Sequence, residues 1–77
     1  MKKEEFLRRK NELKEKLRDT YIIVDEGIGC SLAMGCYFDH QVNKWKVFEN
    51  GDRDTHYILL ETSSEDEAFD RLNYMMM

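Results

Sequence analysis

The sequence contains no proline, four glycines, two cysteines and one tryptophan in 77 residues. Without proline there is no polyproline linker and no cis-prolyl turn, which fits a compact meander with short turns. Two cysteines, Cys30 and Cys36, are too few for a secreted disulfide scaffold. No apolar run approaches the ~20 residues that a bilayer span requires. Met1-Lys2-Lys3-Glu4-Glu5 has no apolar segment behind it, so it does not read as a secretory signal. A cytoplasmic location is the expectation. The length implies one domain, 1–77, burying roughly 60% of its unfolded surface. A second domain or a deep cofactor cavity does not fit easily.

Charge is unevenly spread. Residues 1–18 carry eight basic and four acidic side chains, net +4, and residues 19–77 carry four basic and twelve acidic ones, net −8. The body of the domain is acidic and its first helix is not. Such a field draws basic partners and repels phosphate backbones.

Residues 3–18 read as a helix with a narrow stripe, Phe6, Leu13 and Leu17, and Leu7 at its edge. Lys10 lies inside the stripe and must snorkel. Glu4–Arg8, Glu5–Arg9 and Glu12–Lys16 are favourable i,i+4 pairs. Tyr21-Ile22-Ile23-Val24 is a β-branched strand. Asp25-Glu26-Gly27-Ile28-Gly29 reads as a tight turn. Cys30–Asp39 reads as a second strand, firmest over Cys36–Asp39, with Ser31–Met34 open to a loop reading and Gly35 marking a bulge or close contact.

The segment His40–Asn43 is a hairpin loop, and Asn43–Glu49, with the single Trp45, alternates as the central strand. Asn50-Gly51 is a hairpin signal, although Asp52-Arg53-Asp54 predicts a loop longer than two residues. His56–Glu61 is the fourth strand. Ser64 with Glu67 fits a capping box, and Ala68, Phe69, Leu72, Met75 and Met76 form a wide apolar helical face.

The expected fold is therefore α+β, in the order α-β-β-β-β-α. It is a four-stranded antiparallel meander with the N- and C-terminal helices on one face. Alternation sets Trp45 and Val47 against Lys46 and Phe48. Ile58 and Leu60 are expected toward the helices and Tyr57 toward the open face, with Trp45 partly exposed.

Catalytic and ligand motifs compare poorly with simpler readings. Gly27-x-Gly29 precedes a strand, where a phosphate-binding loop would open a helix. Cys30, Cys36, His40 and His56 lack the short ligand knuckle of structural zinc sites, so no metal is expected. Acidic surroundings raise a thiol pKa, which argues against a cysteine nucleophile. Asp52 and Asp54 read as turn formers. No enzyme and no cofactor are expected. The acids Asp25, Glu26, Asp39, Glu49, Asp52, Asp54 and Glu61 read as a solvated, aggregation-resistant surface or as a docking patch for a basic protein.

Three strands followed by Glu61-Thr62-Ser63-Ser64-Glu65-Asp66-Glu67-Ala68-Phe69 resemble the small DNA-binding arm of phage integrases. That arm needs several basic side chains on its sheet, and only Lys44, Lys46 and Arg53 are available here. Tyr21–Asp25, Gly27–Cys30, Gly35–Asp39, Asn43–Val47 and Leu60–Phe69 together resemble a family of small bacterial immunity proteins of polymorphic toxin systems. The resemblance spans most of the chain after the first helix.

The immunity-family resemblance implies a non-enzymatic inhibitor that binds a cognate toxin domain, such as a basic nuclease, in the cytoplasm. The expected contact residues are Trp45, Tyr37, Asp39, Asp52 and Asp54. A monomer or homodimer is compatible, nucleic acid is an unfavoured partner and no membrane is involved. The alternative is a small nucleic-acid-binding or regulatory protein acting through its basic N-terminal helix.

Overall fold

The computed structural model describes residues 1–25, 32–52 and 55–77. The Gly27–Gly29 turn, Cys30, Ser31 and Asp54 lie outside them. The elements run α1 (Lys3–Glu12), β1 (Tyr21–Val24), β2 (Ala33–Asp39), β3 (Lys44–Asn50), β4 (His56–Thr62) and α2 (Glu65–Met76). The sheet order is β1-β2-β3-β4.

The sheet is mixed, which corrects the expected meander. β1 runs parallel to β2, with Tyr21 opposite Ala33 and Val24 opposite Cys36. β2–β3 and β3–β4 are antiparallel. A β-branched run such as Tyr21–Val24 looks the same in either orientation. The Asp25–Gly29 segment suggested a local reversal, but eight residues separate Val24 from Ala33. Fully extended they reach about 30 Å, ample to return past a four-residue strand. The Asp25 amide then donates to the Cys36 carbonyl at 2.9 Å, extending the parallel pairing by one bond.

Both helices cover one face of the sheet. Phe6, Leu17, Cys36, Val47, Ala68, Phe69, Leu72 and Met76 form the buried cluster. α2 supplies four of these, as its wide stripe predicted. Its start is closed by Ser64, whose Oγ accepts from the Glu67 amide at 3.2 Å. The Ser64 amide, which a capping box would give to Glu67, donates to Thr62 Oγ1 at 3.1 Å.

α1 ends at Glu12, short of the expected residue 18. Asn11 is a weak helix former, and the Leu13 amide is shared between the Arg9 and Lys10 carbonyls at 3.1 and 3.2 Å. The chain continues as turns, with Leu17 N–H donating to the Leu13 carbonyl at 3.0 Å. This path still brings Leu17 into the core and half-buries Leu13. The ion pairs of the N-terminal segment that join it to the body lie across elements: Lys2 with Asp66, Lys3 with Asp25, and the Met1 ammonium with Asp66 and Asp70.

β2 begins at Ala33, where Cys30 was expected. The residue before it, Leu32, sits at φ 61°, a left-handed conformation that ends strand geometry for a bulky side chain. The fourth strand holds a further correction. Val47 pairs with Leu60 but Phe48 pairs with Ile58, so Leu59 has no partner on β3. This bulge reverses the alternation. Leu60 packs on the helix-side core, whereas Ile58 lies opposite Phe48 on the other face. Tyr57, expected on the open face, falls opposite Glu49 instead.

Gly35 is the position that holds β1, β2 and β3 together. A Cβ there would lie 2.2 Å from the Ile23 carbonyl oxygen and 2.6 Å from the Phe48 ring. Only a hydrogen fits between two such neighbours. Gly35→Ala is expected to destabilise the fold by about 2–3 kcal/mol, the upper range for an overpacked interior, read as a lowered midpoint in urea denaturation. A midpoint equal to wild type would show that β1 and Phe48 can shift at no cost.

Candidate functional site on the helix-free sheet face

The face away from the helices carries Tyr21, Ile23, Ala33, Gly35, Tyr37, Asp39, Lys44, Lys46, Phe48 and Ile58 by register. It is not uniformly open. Phe48 is completely buried although no helix covers it. Its ring lies over Gly35, Tyr37 meets it edge-on at 5.9 Å, and the His56 ring leans on it at 5.0 Å. Such aromatic contacts add a modest amount beyond their burial. His56 Nδ1 lies 2.6 Å from Asn50 Oδ1, and Asn50 is buried. Tyr21 and Ile58 remain exposed at the margins.

A charge ladder crosses the strands beside this cluster. Lys46 Nζ lies 2.9 Å from Asp39 Oδ2 and 3.8 Å from Glu61 Oε2, and Lys44 Nζ lies 3.8 Å from Glu61 Oε1. Two lysines face two carboxylates, so the four cancel. Asp39 also accepts from the Gln41 amide at 2.9 Å, closing the β2–β3 turn. Its side chain and that of Lys46 are both largely covered. The Lys46 ammonium, then the Gln41 amide, hold the Asp39 carboxyl below its ordinary value. The bond to Asp39 raises Lys46 above its own.

The expected contact residues do not converge. Tyr37 and Asp39 share the helix-free face. Trp45 points the other way, its ring 5.4 Å from Phe69 of α2 and 5.3 Å from Phe38. It is half-buried and packs on the main core. Asp52 is exposed in the β3–β4 connection, its carbonyl accepting from the Thr55 amide and hydroxyl. Asp39 and Asp52 thus sit at opposite ends of a seven-residue strand pair, about 20 Å apart at ~3.3 Å per residue. Asp54 is outside the described residues. Lys46, Phe48, Asn50, His56 and Glu61 were absent from the expected set. Their alternation was visible, but their partners depend on register.

The buried thiol offers no nucleophile. Burial, then the charges of Asp25 and Glu65, push Cys36 up to about 12, so it stays protonated at neutral pH. Among the described residues no group of three His, Cys, Asp or Glu side chains could hold a metal, and no helix is long and apolar enough to cross a membrane. Compared with protein-family models, curated proteins and solved structures, the chain matches none of them.

Two outcomes are expected. Because the folded Asp39 carboxyl lies below its ordinary 3.8, its contribution is present above that value and lost as pH falls through the lowered one. Because folded Lys46 lies above its ordinary 10.5, its contribution is present below that value and lost as pH rises through the raised one. Asp39→Asn should lower the unfolding midpoint at neutral pH and make the acid-side loss shallower, read by thermal denaturation across pH. An acid limb unchanged from wild type would place the titration elsewhere. In a Cys30→Ser background, Cys36 should resist a disulfide-exchange reagent when folded and react promptly in denaturant; rapid labelling of the folded form would contradict its burial.

Proposed function

We propose that this chain is a non-enzymatic binding protein, an immunity-type inhibitor that neutralises a basic toxin domain in the cytoplasm by stoichiometric occupation of its groove. The observation that carries the reading is the helix-free sheet face. Tyr37 meets the seated Phe48 ring edge-on, Ile58 pairs opposite it, and exposed Tyr21 lies at the β1 margin, with carboxylates at both ends of the strands. A few well-supported aromatics supply most of the affinity in such interfaces. The net −8 of residues 19–77 steers a basic partner toward them.

In this reading Tyr37 is the central contact. Asp39 orients the ladder beside it, and Asp52 attracts the partner from the far end. Trp45 serves from beneath, by fixing β3 against α2. Its replacement therefore weakens the inhibitor through stability.

A second reading rests on a separate observation. Leu7, Lys10, Asn11, Lys14, Leu17 and Thr20 line an open cleft of about 350 Å³. Lys10 and Lys14 make no ion pair among the described residues, in contrast to Lys2, Lys3, Lys44 and Lys46. A regulatory or nucleic-acid contact through the N-terminal segment would use this basic wall.

The test is capture on tagged protein in native-cell extract, washed with rising salt. The inhibitor reading expects one basic protein retained at stoichiometry. Tyr37→Ala should then weaken binding at least about tenfold, some 1.4 kcal/mol, with Lys10→Glu/Lys14→Glu neutral. Nucleic acid recovered by wild type and lost from the double lysine variant would overturn it in favour of the second reading.

A further inference from the structure

We propose that Asn50 is a spontaneous deamidation site that the fold holds closed, and that its conversion, once the contacts around it break, releases the Phe48 seat. The inference concerns the covalent chemistry of the chain itself and is independent of what the helix-free face binds.

Asparagine stands at positions 11, 43, 50 and 73, followed by Glu12, Lys44, Gly51 and Tyr74. Only after Asn50 does the next amide nitrogen have no side chain beside it. Glycine leaves that nitrogen unshielded and its main chain free to rotate. In an unrestrained chain the Gly51 nitrogen, its proton taken by hydroxide, attacks Asn50 Cγ. The N–Cγ bond forms, the Cγ–Nδ2 bond breaks, and ammonia leaves with a proton from water. Water then opens the succinimide at Cγ, giving aspartate, or at the main-chain carbonyl, giving isoaspartate. Water is consumed and ammonia released, with no oxidant or reductant.

The turn keeps glycine for a packing reason. A Cβ at Gly51 would lie 2.5 Å from Thr55 Oγ1, which itself donates to the Asp52 carbonyl at 2.8 Å. The reactive pair therefore comes with the turn, and the surrounding contacts restrain it. The Gly51 amide donates to the Thr55 carbonyl at 3.1 Å, so the nucleophile is engaged. The Gly51 carbonyl accepts from the Leu32 amide at 3.4 Å, which opposes rotation of the following peptide. Asn50 Oδ1 lies 2.6 Å from His56 Nδ1, and the residue is 8% exposed. Asn50 is also the last residue of β3. Ring closure needs Cβ and the next nitrogen on the same side of the Cα–C bond, and extended main chain holds them apart. A donor on Oδ1 polarises the amide, but in this geometry the nitrogen does not reach it.

Conversion is irreversible and acts on the second core. His56 both holds Asn50 and leans on Phe48 at 5.0 Å. Isoaspartate adds a methylene to the main chain at the end of β3, where Asn50 pairs with His56. Aspartate places a carboxylate at a buried position.

Peptide mapping by mass spectrometry, with enzymatic methylation of isoaspartate as a second detector, follows Asn50 at one pH and temperature. Folded wild type should convert at the unfolded rate multiplied by the open fraction, at least about tenfold slower than in denaturant. This comparison needs no substitution, and Asn11 and Asn43 should lag behind Asn50 in denaturant. His56→Phe keeps a ring for Phe48 and removes the donor. It should speed conversion of the folded chain at least about threefold, the worth of a modest hydrogen bond, with wild-type circular dichroism and an unchanged rate in denaturant. The isolated product should unfold at a lower urea midpoint than its parent. Folded wild type converting as fast as the unfolded chain, His56→Phe converting no faster than wild type, or a product as stable as its parent would overturn the proposal.

Discussion

A single position without a side chain governs how this sheet is assembled. At Gly35 the parallel neighbour β1 approaches from one side and the Phe48 ring settles from above. Any Cβ would displace one of them. The consequence is a second, smaller core on the face that the helices leave uncovered. Phe48 is completely buried there, with Tyr37 and His56 around it. A chain this short has little apolar surface to spend on two faces. Burying one large ring against bare backbone is an economical way to stabilise the second.

The main core depends on α2. Ala68, Phe69, Leu72 and Met76 seat on Cys36, Val47 and Trp45, and Phe6 of α1 meets Phe69 at 5.5 Å. Besides its apolar stripe, α1 is tied to the body through its first residues. Lys2, Lys3 and the terminal ammonium reach carboxylates of α2 and of the residue after β1, and the Lys3 amide donates to Glu65 at 3.1 Å. Of these acids, Glu65 and Asp66 stand in the first turn of α2, where the helix dipole already favours them. The basic N-terminal segment and the acidic body, separate blocks in the sequence, thus meet at one seam.

The same pairing changes the meaning of the acid-rich sheet. Asp39 and Glu61 belong to the ladder with Lys44 and Lys46, so they orient strands and leave no net charge at that end. The acid count along the chain overstates the field at this part of the face. Between β2 and β4 this face is a neutral, aromatic-edged patch, with exposed Asp52 toward the β3–β4 connection.

The single tryptophan strand, Lys44–Asn50, marks the limit of sequence reading here. Its alternation, the four strands, the Ser64 cap and the apolar face of α2 were all legible, because each follows from local periodicity or a local hydrogen bond. Orientation was not. Whether β1 runs with or against β2 depends on where the chain returns, and a β-branched run carries no mark of it. Which face Trp45 takes was decided by Phe69, more than twenty residues away. Ile58 and Tyr57 exchanged their expected sides because one unpaired residue, Leu59, shifted the register by one. The ladder and the Phe48 seat likewise exist only once strands are aligned. Local chemistry therefore determined the elements and their amphipathic faces. Packing between distant residues alone decided which face became core and which charges cancelled.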